Sequence, residues 1–298
     1  MKNNTAFSMV ELSVVLIVIG VLAAGVVSAT SLIKTSRLTT ARSLTAKSTV
    51  PSIEGLVAWY ETSAIDSLKT SENYNNAQIS TWYDISPASI TLKKNTLTKT
   101  ASSAVTYTDK GINNFASLKF SGTGTSSSND ASGKISLSSF YQGASARNTI
   151  FIVCRPSALP SGYSRIFIDS GDSSVTSATG IAAANSVYFN LGSVSNTATG
   201  ANPASFVLEQ NYILAIYFNG SSSKAYVNNT KNMAGDATTN PGTNFLTGIT
   251  IGSDHSGGYS FNGLISEVII YNRPLQNNER TDVFKYLSNK YKIPVSGF

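Results

Sequence analysis

"LISEVIIYN" at residues 264–272 runs straight into "RPLQNNERTDVFKYLSNKYKI" at 273–293, and the handover between them decides the fold. The first stretch is rich in Leu, Ile, Val and Tyr without a helical period, the composition of a buried strand. Pro274 separates it from a segment in which Val283, Leu287 and Tyr291 recur at four-residue spacing, with Phe284 beside them. That is the apolar stripe of an amphipathic helix, for which Asn277 or Asn278 offers an N-cap. One acid, Glu267, interrupts the strand. A carboxylate among apolar neighbours needs hydrogen-bond partners if buried, and otherwise faces a ligand.

Upstream, the same texture repeats. Short β-favouring runs occur at 55–60 (GLVAWY), 79–84 (ISTWYD), 117–120 (SLKF), 149–154 (TIFIVC), 164–169 (SRIFID) and 186–191 (SVYFNL). Others follow at 211–219 (NYILAIYFN), 224–228 (KAYVN) and 245–252 (FLTGITIG). Gly, Ser and Asn clusters separate them, the pattern of a two-sheet sandwich or jelly roll. Several runs are apolar throughout, as strands covered on both faces are. Residues 218–229 read as a hairpin with a Gly-Ser turn. Residues 121–133 are too polar to bury. Side chains alternate in a strand, so Trp59 and Tyr60 point opposite ways, as do Trp82 and Tyr83. The tryptophans are expected inside, leaving Tyr60 and Tyr83, with Glu267, as the ligand-facing candidates.

Composition removes several function classes. Charged residues make up only 13% of the chain, too few for a highly charged helical assembly. Lys2, Lys34, Arg37, Arg42 and Lys47 against the single acid Glu11 put most of the +6 formal charge in the first fifty residues, beside an apolar segment. The remainder is nearly neutral, so nucleic acid is not an expected partner. The single cysteine, Cys154, lies in an apolar run and reads as a packing residue; it permits no intramolecular disulfide. The single histidine, His255, sits in "GSDHSGG", a surface loop, and no GxSxG elbow accompanies it. No strand carries the closely spaced acids of a retaining glycosidase. No enzyme is therefore expected, and no catalytic residue is assigned. Asp169, Asp172 and Asp254 in loop-like stretches are weak calcium candidates; no other cofactor is expected.

The N-terminal segment has a different character. From Phe7 to Val27 the only ionisable residue is Glu11, and as a helix this stretch is about 30 Å long, enough to cross a bilayer core. Residues 28–47 lack Pro and Gly and keep a loose helical spacing of apolar positions, until Pro51 stops the helix. Domains are therefore expected at 1–6 (leader), 7–50 (transmembrane and assembly helix) and 51–298.

Two resemblances follow from these residues. "MKNNTA", then Phe7, then Glu11 four residues on, then the apolar run, resembles the N-terminus of type IV prepilins, shared by pilins and type II secretion pseudopilins. It implies cleavage between Ala6 and Phe7 by a prepilin peptidase and N-methylation of Phe7. It also implies that Glu11 pairs with the new amine of a neighbouring subunit during assembly. Ala6 replaces the family's usual Gly, and Ser28 stands near where many pilins have a proline. The resemblance also implies a cytoplasmic leader and an exported head, and charge around the segment opposes that topology, because Lys34, Arg37, Arg42 and Lys47 follow it and only Lys2 and the amino terminus precede it. The prepilin pattern is followed in preference. Residues 53–293 resemble the concanavalin A-like, laminin-G-like jelly rolls, through "GLVAWYETS", "ILAIYFNGSSSKAYVNN" and above all the ending from 249 onward. Gln276 departs from the Ser that often caps the family's closing helix, three residues before Glu279.

Together these imply a mainly β protein: a long N-terminal helix, then a concanavalin A-like sandwich with a short C-terminal helix. The implied function is a type IV pilin-like subunit with a lectin-like head that adheres to a glycan or protein. The size of 51–298 favours a minor or tip position over one repeated along a filament. Its partners would be other pilin-like subunits, the inner-membrane assembly machinery and the prepilin peptidase. It would span the inner membrane once with its head exported, then join a cell-surface or periplasmic filament. The alternatives are a type II secretion pseudopilin with a purely structural head, and a membrane-anchored lectin-like protein that does not polymerise.

Overall fold

The computed structural model describes residues 8–87, 94–99, 104–123, 133–141, 145–159, 165–171, 178–181, 187–190, 206–231, 235–236 and 246–298. Two compact units divide the chain, Met1–Thr40 and Ala41–Phe298.

Helix α1 spans Met9–Ala46 and supplies the described part of the first unit. Its start is capped reciprocally: Ser8 N donates to Glu11 Oε2 at 2.8 Å, and Glu11 N donates to Ser8 Oγ at 3.2 Å. Two orphan amides of the first turn are satisfied this way. "SMVE" is the S-x-x-E signature of that arrangement, so the signal was present in the sequence. In the Ser/Thr-rich second half the hydroxyls bond back to the preceding turn and so are satisfied within the helix, as Thr35 Oγ1 does to Ser31 O and Thr40 Oγ1 to Ser36 O. The apolar side chains from Met9 to Val27 are exposed. Among the described residues this is the one helix long and apolar enough to cross a membrane, a profile shared by signal sequences.

The helix ends at Ala46, earlier than expected from Pro51, which instead sits in a 3-10 turn, Val50–Ser52. The chain leaves the helix early because the second unit holds it: Val50 is buried, and its carbonyl accepts from Tyr271 Oη at 3.0 Å. Ala41, Arg42 and Thr45 belong to that unit, and Arg42 Nε donates to Ser63 O at 2.9 Å.

The second unit is a sandwich of two antiparallel sheets. In chain order the strands are β1 (Leu56–Glu61), β2 (Thr81–Trp82), β3 (Leu97–Lys99), β4 (Thr106–Thr108), β5 (Ser117–Ser121), β6 (Ile135–Leu137), β7 (Asn148–Pro156) and β8 (Arg165–Asp169). They continue with β9 (Ala178–Ile181), β10 (Val187–Asn190), β11 (Tyr212–Phe218), β12 (Lys224–Val227), β13 (Gly235–Asp236), β14 (Ile249–Ile251) and β15 (Asn262–Tyr271). One sheet runs β13-β12-β11-β7-β15-β5-β4, with β1 also paired to β15; the other runs β10-β9-β8-β14-β6-β3-β2. Helix α2, Asn277–Tyr291, closes the chain.

Apolar runs without alternation now have their cause: the first sheet is covered on both faces. Along β7, Ile150, Ile152 and Cys154 enter the core between the sheets, while Phe151 and Val153 pack toward α2. In β15 a bulge between Ile265 and Glu267 shifts the alternation. Without it Glu267 would share a face with Ile265, in the inter-sheet core. With it, Glu267 joins the face beneath α2. Gly252 shows why "ITIGSD" needs its glycine: its φ is +96°, and a Cβ there would lie 2.2 Å from Gly133 O and 2.3 Å from the Phe120 ring.

On α2, Val283, Phe284, Leu287 and Tyr291 are buried as the spacing predicts. The N-cap is Gln276, not Asn277 or Asn278. Glu279 reaches back to accept from Gln276 N at 2.8 Å and is itself gripped by both terminal nitrogens of Arg273, at 2.9 and 2.6 Å. The Gln276 side chain accepts from the Glu279 amide in return, so a capping box closes with glutamine in the place of serine, and the Arg273 fork fixes the Glu279 carboxylate.

Candidate functional site

Glu267 sits at the centre of a buried polar cluster beneath α2. Its Oε1 accepts from Trp59 Nε1 at 2.7 Å and Tyr286 Oη at 2.8 Å; its Oε2 accepts from Lys290 Nζ at 2.8 Å and Tyr291 Oη at 2.9 Å. Glu61 is its cross-strand partner between β1 and β15, so two carboxylates face each other and Lys290 bridges them, 3.0 Å from Glu61 Oε1. Ser63 donates to that same oxygen through its backbone amide and its hydroxyl, and Thr45 Oγ1 accepts from Lys290 at 2.8 Å. Lys290 is fully buried and Glu267 only 1% exposed. Burial pushes the Glu267 carboxyl above its ordinary range, against the pull of Lys290.

The expectation that Glu267 and Tyr60 face a ligand is corrected by this packing. Tyr60 is enclosed between the sheets, donating its hydroxyl to Asn95 O at 2.7 Å, and Trp59 is buried on the opposite face. Alternation sends the two rings opposite ways, but both directions lead inside. Tyr83 is half-buried, with its amide donating to Ser67 O at 2.8 Å. Cys154 is a buried thiol whose pKa burial pushes up. Ala6, Phe7 and Asp172 lie outside the described residues.

At one end of the second sheet, His255 Nδ1 lies 3.1 Å from Asp169 Oδ2, which also accepts from His255 N at 3.0 Å. Ser170 N donates to the other oxygen of Asp169, and Lys134 Nζ donates to His255 O at 2.7 Å. Asp254 accepts from Gly258 N and Ser256 Oγ. Asp169 and Asp254 are thus engaged by protein donors, and among the described residues no three His, Cys, Asp or Glu are grouped to hold a metal. The hydrogen bond to Asp169 raises the His255 pKa above its ordinary 6.5, desolvation opposing it. A raised native pKa means the pair stabilises the fold fully below pH 6.5, and that contribution is lost as pH climbs through the native value. As the chain's only histidine, it gives one set of imidazole NMR resonances. Their midpoint is expected above 6.5 in the native protein and lower in Asp169→Asn; a native midpoint at or below 6.5 would show that the pair does not form.

A cleft of about 520 Å³ opens between β12, the chain at Thr230–Lys231 and the first turns of α2. Lys224, Lys231, Arg280 and Lys285 line it, against one acid, Asp282. Arg280 is only 4% exposed; its guanidinium carbon stands 4.2 Å from the Tyr226 ring centroid, and Nη2 donates to Asn277 Oδ1 at 2.7 Å. Sequence reading did not single out Arg280 or Lys290. The available signal was position, since both fall on the same stripe as Val283 and Leu287. Nothing in the sequence pointed to Tyr226 or to the cleft.

The two-sheet topology with its closing helix defines the class as a concanavalin A-like sandwich. Residues 128–279 match the laminin G-type family model of the concanavalin A-like lectin/glucanases superfamily, and the chain belongs to that superfamily. No curated protein matches the chain. It is similar in fold to domain 4 of AbnA, a GH43 extracellular arabinanase from Geobacillus stearothermophilus solved with arabinotriose. That likeness has a TM-score of 0.51 and 17% identity, covering 76% of this chain and 97% of that domain. It is also similar to Trypanosoma rangeli sialidase in complex with 2,3-difluorosialic acid, with a TM-score of 0.51 and 18% identity. There it covers 80% of this chain but only 33% of the sialidase. These likenesses overturn the expectation that the chain is no enzyme, because its fold recurs within an arabinanase and a sialidase. Strand pairing does bring two acids together, Glu61 opposite Glu267, but both are buried beneath α2 and bridged by Lys290.

Proposed function

We propose that this chain is a type IV prepilin-like subunit, a minor or tip component, whose concanavalin A-like domain binds a surface glycan. The observation that carries the reading is the joining of two parts in one chain. One is an exposed apolar helix with an acid in its first turn; the other is a domain of the lectin/glucanases superfamily. An apolar stretch exposed from Met9 to Val27 needs lipid or other helices around it, and filament packing supplies the second once the first is left. The likeness to an arabinanase domain solved with arabinotriose favours a saccharide over a protein ligand.

Two measurements test the two halves separately. Mass spectrometry of the mature chain is expected to find an N-methylated Phe7; intact Met1 or a cut near Ala29 would sink the prepilin half. Binding of the detergent-solubilised full chain to an oligosaccharide panel is expected to yield at least one saturable ligand. Silence across the panel would remove the glycan-binding half.

A further inference from the structure

The basic cleft is built in a way that the packing of α2 alone does not require. Arg280 is buried, yet its Nε–H has no hydrogen-bond partner, and among the described residues no carboxylate pairs with it. A buried cation normally ends in an acid or a full set of acceptors. Here the guanidinium is held in place by Tyr226 below and Asn277 beside it, and it forms part of the cleft wall. Lys224, Lys231 and Lys285 stand around it against one acid, Asp282, which lies 3.8 Å from Lys285 in a half-exposed pair, so the lining keeps a net positive charge. The rest of the lining is amide and hydroxyl, with Asn278 and Thr281 among it, groups that match sugar hydroxyls. At about 520 Å³ the volume falls inside the range of small-ligand pockets, about 300–1,000 Å³.

We propose that this cleft binds a saccharide carrying an anionic substituent, a carboxylate or sulfate. Arg280 receives the anion, and the three lysines focus charge on it. The planar fork of a guanidinium already held in place matches either oxyanion through two donors, at little entropic cost. The inference rests on the proposed glycan-binding role of the domain, and adds the site and the class of sugar.

Calorimetric titration of the full chain in detergent tests it with four probes: a galacturonic acid trisaccharide, a sulfated heparin tetrasaccharide, neutral maltotriose and tetraglutamate. Binding of the trisaccharide identifies a carboxylate ligand and binding of the tetrasaccharide a sulfate ligand. Either interaction is expected to weaken as salt rises from about 0.05 to 0.5 M. Arg280→Gln is expected to weaken it by at least about tenfold, the loss of a hydrogen bond to a charged group. Because Arg280 is buried, the exposed double variant Lys231→Glu/Lys285→Glu provides the same test without disturbing the core, and is expected to lose affinity at unchanged melting temperature. Asp282→Asn is expected to bind no more weakly than the native chain. Native affinity in both basic-residue variants would overturn the site, and tetraglutamate bound as tightly as the acidic sugars would overturn the saccharide assignment. Maltotriose bound in preference to both acidic sugars would overturn this inference and leave the glycan-binding role standing. Failure to bind any saccharide here or on the wider panel would overturn both.

Discussion

Replacing Lys290 by methionine is expected to lower the unfolding free energy by about 3–5 kcal/mol, the usual cost of breaking a buried ion pair. The reason lies in the strand pairing. Glu61 and Glu267 are opposite one another in β1 and β15, and Lys290 is the cation between them, 3.0 and 2.8 Å away. Methionine fills the volume but leaves two carboxylates facing each other, out of water. Trp59, Tyr286 and Tyr291 continue to solvate Glu267, while Glu61 keeps Ser63. The second change Glu267→Gln in the Lys290→Met background removes one stranded charge and is expected to recover part of the loss. Lys285→Met on the exposed side of the same helix, where the lysine's side chain is 56% exposed, is the control, expected within about 0.5 kcal/mol of native. Urea unfolding followed by tryptophan fluorescence reads all three. A Lys290→Met midpoint equal to that of Lys285→Met would mean that the cluster does not tie α2 to the sheet.

Glu11→Gln is expected to abolish incorporation into filaments while insertion, processing and the start of α1 remain intact. Under the proposed function the carboxylate pairs with the amine created at Phe7 of a neighbouring subunit. Glu11 also has a local partner, since it and Ser8 cap each other's amides. Alanine or leucine at this position would remove both roles together. Glutamine keeps the reach-back hydrogen bond of a capping box and removes only the charge. It also avoids the insertion cost of a carboxylate, about 2.5–3.5 kcal/mol at a bilayer centre and less near the interface. Ser8→Ala is the complement: it weakens the cap by about 1 kcal/mol, keeps the charge, and is expected to assemble. Normal filament yield from Glu11→Gln would refute the pairing. Equal failure of both variants would assign the defect to the helix start.

The fold was largely legible where burial imposes composition. β7, β11 and β15 are long, apolar and centrally placed, and α2 carries its stripe in plain view. β3, β4, β6, β9 and β13 are two to four residues long, and none was singled out in the sequence. β4 and β13 lie at sheet edges and β3, β6 and β9 inside the second sheet, but strands this short are all set by their neighbours' hydrogen bonds, so their own composition says little. The aromatic pairs show the limit of alternation. Period two correctly sends Trp59 and Tyr60 to opposite faces, but it cannot say whether a face meets water, another sheet or a helix. The candidate site was less legible still. Glu267 stood out as an acid in an apolar strand, whereas its hydrogen-bond partners are residues 59, 286, 290 and 291, and residues 45 and 61 join the cluster through Lys290.

By itself, then, the sequence determined the elements: a long apolar helix with one acid in its first turn, a run of strands covered on both faces, and a closing amphipathic helix. Those are properties of local composition and period, and they survive without knowledge of neighbours. Tertiary structure alone decided which way Glu267 points, because one bulged residue in β15 turns it from the inter-sheet core to the face under α2. It alone paired His255 with Asp169, and gathered Lys224, Lys231, Arg280 and Lys285 around one cleft. The physical reason is the same each time. Charges and hydrogen bonds act over a few ångströms of space, and no pattern along the chain records which distant residues will share them.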